Sequence, residues 1–126
     1  MSDAELAKLQ GTWHQVHYER DGLVEPADEE AGWRPMTEIV GNRFTVTIAD
    51  GTVVLEGAFM IDATREPKTI DWLDESGPYA SKHPILAVYE LTDTSFAFCA
   101  AYDGAARPTS LKTGPGLVLR RMARVG

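Results

Sequence analysis

The stretch Arg43-Phe44-Thr45-Val46-Thr47-Ile48-Ala49-Asp50-Gly51-Thr52-Val53-Val54-Leu55-Glu56-Gly57-Ala58-Phe59-Met60-Ile61-Asp62 reads as two strands joined by a tight turn. Phe44, Val46 and Ile48 alternate with Thr45 and Thr47, the period of a half-buried strand. Asp50-Gly51 is the dipeptide that two-residue hairpin turns favour, because both central positions need positive φ. Beyond the turn, Val53, Leu55, Gly57, Phe59 and Ile61 share one face, and Val54, Glu56, Ala58, Met60 and Asp62 the other. Gly57 in mid-strand predicts a bend or a close backbone approach.

The same reading extends both ways. Residues 10 to 20 hold Thr12, Trp13, Val16 and Tyr18, a strand-like mix ended by the turn signal Asp21-Gly22. Ahead of them, residues 3 to 8 read as one short helix, with Ser2 and Glu5 at capping-box spacing. Short strands are expected over 37–40, 67–73, 85–92, 95–102 and 117–122. Residues 23 to 35, with Pro26, Gly32 and Pro35, read as a loop with room for a helical turn, placed to cross a barrel mouth. Residues 74 to 83 and 103 to 115 read as loops. The count is seven or eight strands with mostly hairpin-like connections. No repeat or linker divides the 126 residues, so a single domain over 1–126 is expected. Closing such a meander into an all-β, antiparallel up-and-down barrel removes its exposed edges.

The ordered motifs Leu9-Gln10-Gly11-Thr12-Trp13, Gly41-Asn42-Arg43-Phe44, Glu56-Gly57-Ala58-Phe59, Pro67-Lys68-Thr69-Ile70-Asp71, Val88-Tyr89-Glu90-Leu91 and Arg107-Pro108-Thr109 resemble one family. It is the small lipocalin-like, calycin-type domain found in planctomycetes and actinobacteria, a family without one general activity. The resemblance spans roughly Leu9 to Arg121. It implies a lipocalin-like β-barrel of about eight strands, with Trp13 as a plug at a closed end. The chain departs from the family at Ser110-Leu111, where an aromatic residue is usual, so no pocket role is carried over to that loop.

Charge and composition narrow the partners. The chain has 12 basic and 19 acidic residues, a net charge of -7. Such a surface repels phosphate backbones and anionic membranes, so neither nucleic acid nor membrane is expected as a partner. The single cysteine, Cys99, permits no intrachain disulfide and no Cys-based zinc site. The start of the chain lacks the pattern of a secretory signal, so a cytoplasmic setting is expected. Arg120 and Arg121 fall on opposite faces of a strand.

Candidate chemistry is sparse. His14 and His17 stand three apart, which in a regular strand points them to opposite faces; no metal site and no cofactor are expected. His14 shares a face with Tyr18 and is a candidate acid-base group if that face is inward. Glu90 and Glu56 lie within strands, and a carboxyl in a lumen would have a raised pKa and act as a base. Tyr89 and Tyr102 are the candidate orienting hydroxyls. Cys99 alternates with Phe98 in an apolar strand and reads first as a buried small hydrophobe. Trp33, Tyr18, Tyr89, Phe98, Tyr102 and Arg107 are the candidate ligand-binding residues, Trp33 because it lies in the long loop and Arg107 because a guanidinium pairs with a ligand carboxylate.

Three functions compete. A binding module for a small, largely apolar molecule needs an open apolar cavity. A cofactor-free enzyme (a cyclase, isomerase or hydratase on a hydrophobic metabolite) needs a cavity with a buried acid or histidine of shifted pKa. A structural or interaction protein needs no cavity.

Overall fold

A computed structural model describes residues 3–24, 35–77 and 80–125. Helix α1 (Asp3–Leu9) leads into nine strands: β1 (Gly11–Arg20), β2 (Leu23–Val24), β3 (Met36–Val40), β4 (Arg43–Thr47), β5 (Val53–Asp62), β6 (Lys68–Ser76), β7 (Ile85–Leu91), β8 (Ser95–Ala101) and β9 (Leu117–Arg124). Every pairing is antiparallel. The order is β2-β1-β3-β4-β5-β6-β7-β8-β9, and β1 also pairs with β9. Eight strands, β1 and β3 to β9, therefore close into an up-and-down, lipocalin-like barrel. The two-residue β2 lies outside the ring as a flap on the end of β1. Among the described residues, no helix is long and apolar enough to cross a membrane.

Alternation sorts the walls. Phe44, Phe59, Ile61, Ile70, Trp72, Ala87, Tyr89, Phe96, Phe98, Ala100 and Met122 build the interior. A smaller apolar cluster forms on the outer wall, where Val88, Cys99 and Leu119 are covered by Leu111 and Leu117. This outer cover explains why β8 is buried on both faces. It also places the loop after β8 alongside the barrel.

Three irregularities set the shape. Gly57 pairs with Asp74 where the register between β5 and β6 shifts. A Cβ on Gly57 would lie 1.8 Å from the Leu73 carbonyl oxygen, so the close approach expected from the sequence is real. A second shift, between β4 and β5, falls beside Val54. The third lies in β1, where Gln15 pairs with Met122 and His17 with Arg121, leaving Val16 as the extra residue of a bulge.

One end of the barrel is stopped. Trp13 is fully buried, donates from Nε1 to the Leu9 carbonyl at 2.9 Å, and meets Phe96 edge-on at 5.8 Å. The Arg124 guanidinium lies over its outer face at 4.2 Å and donates to the carbonyls of Gln10, Asp93 and Lys8. Leu6 and Leu9 of α1 pack on the same end of the core. Beneath the helix, the Glu5 carboxylate accepts from Lys68 Nζ at 2.9 Å and from the Tyr89 hydroxyl at 3.0 Å. Burial pushes the Glu5 carboxyl up, but these two hydrogen bonds and the Lys68 charge outweigh it and hold it below the usual value. The Trp13 plug implied by the resemblance is thus where the chain forms its closed end.

Candidate functional site

The opposite end is hollow. Its wall comes from the ends of strands that start or finish away from α1: Thr37 of β3, Val46 of β4, Leu55 of β5, Asp74 of β6, Ile85 of β7, Ala100 of β8, Val118 and Arg120 of β9, and Gln15, Tyr18 and Arg20 of β1. The cavity holds about 620 Å³, within the usual range for a small-molecule site. Phe44, Trp72, Phe98 and Met122 line it where it meets the closed-end core. The rings interlock there: Trp72 stands 5.0 Å from Phe44 at 82°, and 5.0 Å from Phe98. The depth of the cavity is therefore apolar and aromatic, built on rings fixed by one another.

Polar groups gather nearer the mouth. The Tyr18 hydroxyl accepts from Arg20 Nε at 2.8 Å. Two guanidiniums lie against the Tyr18 ring, Arg120 at 4.2 Å and Arg20 at 5.5 Å. Arg120 Nη1 donates to Gln15 Oε1 at 2.5 Å. Asp74 joins them from β6. Burial pushes its carboxyl up, the Asp103 charge adds to the rise, and Arg120 opposes it; the balance stands at about 6. At the rim, Tyr102 donates to Asp21 at 2.9 Å. Asp103 accepts the backbone N–H groups of Lys82 at 2.8 Å and His83 at 2.9 Å, which fastens the connection between β6 and β7 to the one after β8.

The candidates from sequence divide clearly. Tyr18, Phe98 and Tyr102 line the cavity. Tyr89 lies in the core at the closed end, against Glu5, where burial holds its hydroxyl neutral by raising its pKa. Trp33 lies outside the described residues. Glu90 is a correction: it pairs with Ala97 and points outward, exposed, with Arg121 Nη1 at 3.3 Å. Glu56 is likewise exposed and does not line the cavity. Arg107 runs along the outer wall, donating to the Ala87 carbonyl at 2.8 Å and meeting Asp71 Oδ1 at 2.6 Å, so it faces no lumen. The connection that carries it touches the cavity rim at Tyr102 and Asp103 and reaches the outer wall at Arg107 and Leu111.

The bulge at Val16 overturns the face assignment in β1. Gln15, Tyr18 and Arg20 face inward, because their β9 partners Met122, Arg120 and Val118 do, and Trp13, two residues before Gln15, lies in the core on the same face. His14 and His17 both face outward, opposite Ala123 and Arg121. His14 is therefore separated from Tyr18 and from the cavity, and the two histidines share a face after all. His17 Nε2 pairs with Glu19 at 2.7 Å. Among the described residues no group of three His, Cys, Asp or Glu side chains is placed to hold a metal. Cys99 sits on the covered outer wall, where burial and the Glu19 charge push its thiol up and disfavour the nucleophilic thiolate.

The sequence reading missed Asp74, Arg20 and Arg120 as site residues. The signal for Asp74 was present: Ile70 and Trp72 share a face, and two residues on comes Asp74. Ending the strand at Leu73 hid it, whereas β6 continues to Ser76. No family model, curated protein or solved structure matches this chain.

Proposed function

We propose that this protein binds a small, largely apolar molecule inside the open end of its barrel, as a lipocalin-like carrier or receptor of the calycin type. One observation carries this reading: a cavity of about 620 Å³ whose depth is lined by fixed aromatic and aliphatic side chains. A purely structural barrel would fill that volume with side chains. The proposed setting is cytoplasmic and the proposed partner is the small molecule itself.

The test fills the cavity. Ala100 is buried and lines it from β8. Wild-type protein is expected to enhance the fluorescence of N-phenyl-1-naphthylamine, a neutral apolar probe, in a saturable way. Ala100→Trp is expected to weaken that binding at least about tenfold, by occupying apolar space the probe needs, while unfolding cooperatively. A wild-type protein that never saturates, or a tryptophan variant that binds as well, refutes the reading.

Asp74 favours a second reading, a cofactor-free enzyme. A carboxyl with a pKa near 6 in a largely apolar cavity is matched to proton transfer near neutral pH. The substrate would be a hydrophobic metabolite, and the reaction an isomerisation, cyclisation or hydration. Native mass spectrometry on protein purified from its own host separates the two. A carrier is expected to show the same bound mass in wild-type and Asp74→Asn protein. An enzyme is expected to leave wild type empty and the variant loaded with unconverted substrate.

A further inference from the structure

We infer that Trp72 selects the ligand: its indole N–H donates to a neutral carbonyl oxygen set within the ligand's apolar skeleton. The molecule bound is then an apolar carbonyl compound and not a hydrocarbon. This deepens the proposal that the cavity binds an apolar molecule and rests on it.

An orphaned donor carries the inference. Among the described residues, two buried side-chain atoms have no hydrogen-bond partner, Asp71 Oδ1 and Trp72 Nε1. Asp71 Oδ1 still meets a charge, Arg107 Nη2 at 2.6 Å. Trp72 Nε1 has no such counterpart. The residue is only 5% exposed, and a buried tryptophan N–H ordinarily finds an acceptor. Trp13 does so, at the Leu9 carbonyl 2.9 Å away. Around Trp72 stand the rings of Phe44, Phe59, Phe96 and Phe98, with centroids between 5.0 and 6.3 Å. Ring faces are all they can offer an N–H, and a ring face is a weaker acceptor than an oxygen. Asp74 follows two residues on along β6, yet the indole does not donate to it.

The cavity decides where the missing acceptor comes from. Trp72 stands where the packed rings give way to the hollow end, and it lines that hollow. Nε1 itself is covered, so the ring tilts toward the hollow as the bond forms, and the cavity supplies the room. The chemistry of the donor then fixes the ligand's group. An indole N–H only donates, so the partner must accept. A charged acceptor among four phenylalanine rings would be costly to desolvate. A hydroxyl would accept, but it would bring a donor of its own into the same apolar surroundings. A carbonyl oxygen accepts and brings nothing that needs a further partner.

The experiment compares benzophenone with diphenylmethane, which share two phenyl rings and differ by a carbonyl, through displacement of N-phenyl-1-naphthylamine. Each affinity is referred to the compound's own transfer from water to octanol. On that scale benzophenone is expected to bind about tenfold more tightly to wild type. Trp72→Phe keeps a ring and removes the donor, and is expected to bring the two affinities together by loss at the ketone. A second measurement needs no change at this position and decides the matter if Trp72→Phe fails to fold. The chain has three tryptophans, so isotope labelling of the indole nitrogens gives three N–H signals in a magnetic resonance spectrum. Trp13→Phe and Trp33→Phe assign two of them and leave that of Trp72. Benzophenone should move the Trp72 signal downfield, and diphenylmethane, with the same rings, should not. Equal referred affinities in wild type overturn the inference while leaving saturable binding of the naphthylamine probe intact. So does a preference for the ketone that survives in Trp72→Phe, or a Trp72 signal that both compounds move alike. Failure of the naphthylamine probe and of both diphenyl compounds overturns the cavity reading itself.

Discussion

Replacing Gly57 with alanine is expected to destabilise the barrel by about 3 kcal/mol or more. The added methyl carbon would fall 1.8 Å from the Leu73 carbonyl oxygen and 2.9 Å from its carbon. Both are backbone atoms of the neighbouring strand, so no rotamer change relieves the overlap. β5 and β6 have to separate at the point where their register shifts. Asp74 is the residue paired with Gly57 and lines the cavity, so that part of the cavity wall moves with the strand. Urea unfolding measures the loss as a lower midpoint, and the naphthylamine probe should bind more weakly to whatever remains folded. Gly114→Ala is the control: its Cβ would meet nothing within 4 Å, and its φ is not positive. That variant should stay within about 0.5 kcal/mol of wild type. Equal stability of the two variants would show that β5 and β6 have room to part at Gly57.

Trp13→Ala is the other large effect, expected at about 3–5 kcal/mol. The indole is fully buried, so its removal leaves a void where the barrel is meant to be shut. The Leu9 carbonyl loses its donor, and the Arg124 guanidinium loses the ring it covers. Three carbonyls remain to anchor Arg124, those of Gln10, Asp93 and Lys8, so the arginine is not expected to follow the ring inward. Trp13→Phe should recover most of the packing while still lacking the hydrogen bond, and should cost about 1–2 kcal/mol. Thermal unfolding of the pair reads the difference. If both variants lose the same amount, the hydrogen bond and not the packed ring holds the plug.

The architecture was legible because alternation is robust over whole strands. The hairpin over residues 43–62 and the close approach at Gly57 followed from residue type and period; its turn, however, is a three-residue loop over 49–51 closed between Ile48 and Thr52, with positive φ at Gly51 and not at Asp50. Local irregularity was not legible. One extra residue at Val16 turned His17 to the outside and Tyr18 and Arg20 to the inside, and no residue there announces a bulge. Asp74 was lost for a different reason: the polar run Asp74-Glu75-Ser76 reads as a loop, yet it continues the strand because its backbone pairs with β5. Glu90 and Glu56 were legible as strand residues. Which face was inward depended on register, and a slip of one residue exchanges the faces. Arg107 shows a further limit. Its loop was recognised, but that Leu111 packs it along the outer wall is decided by Val88, Cys99 and Leu119, which lie on three different strands.

A barrel stopped at one end behaves as a single-lane passage. Helix α1, Trp13 and Arg124 block the rear, so a molecule bound as proposed would have to leave by the way it came in. A second molecule would then have no route by which to push the first out, and exchange would wait for a vacancy. Supply in excess would change which molecule is loaded next and leave the dwell time of the first untouched.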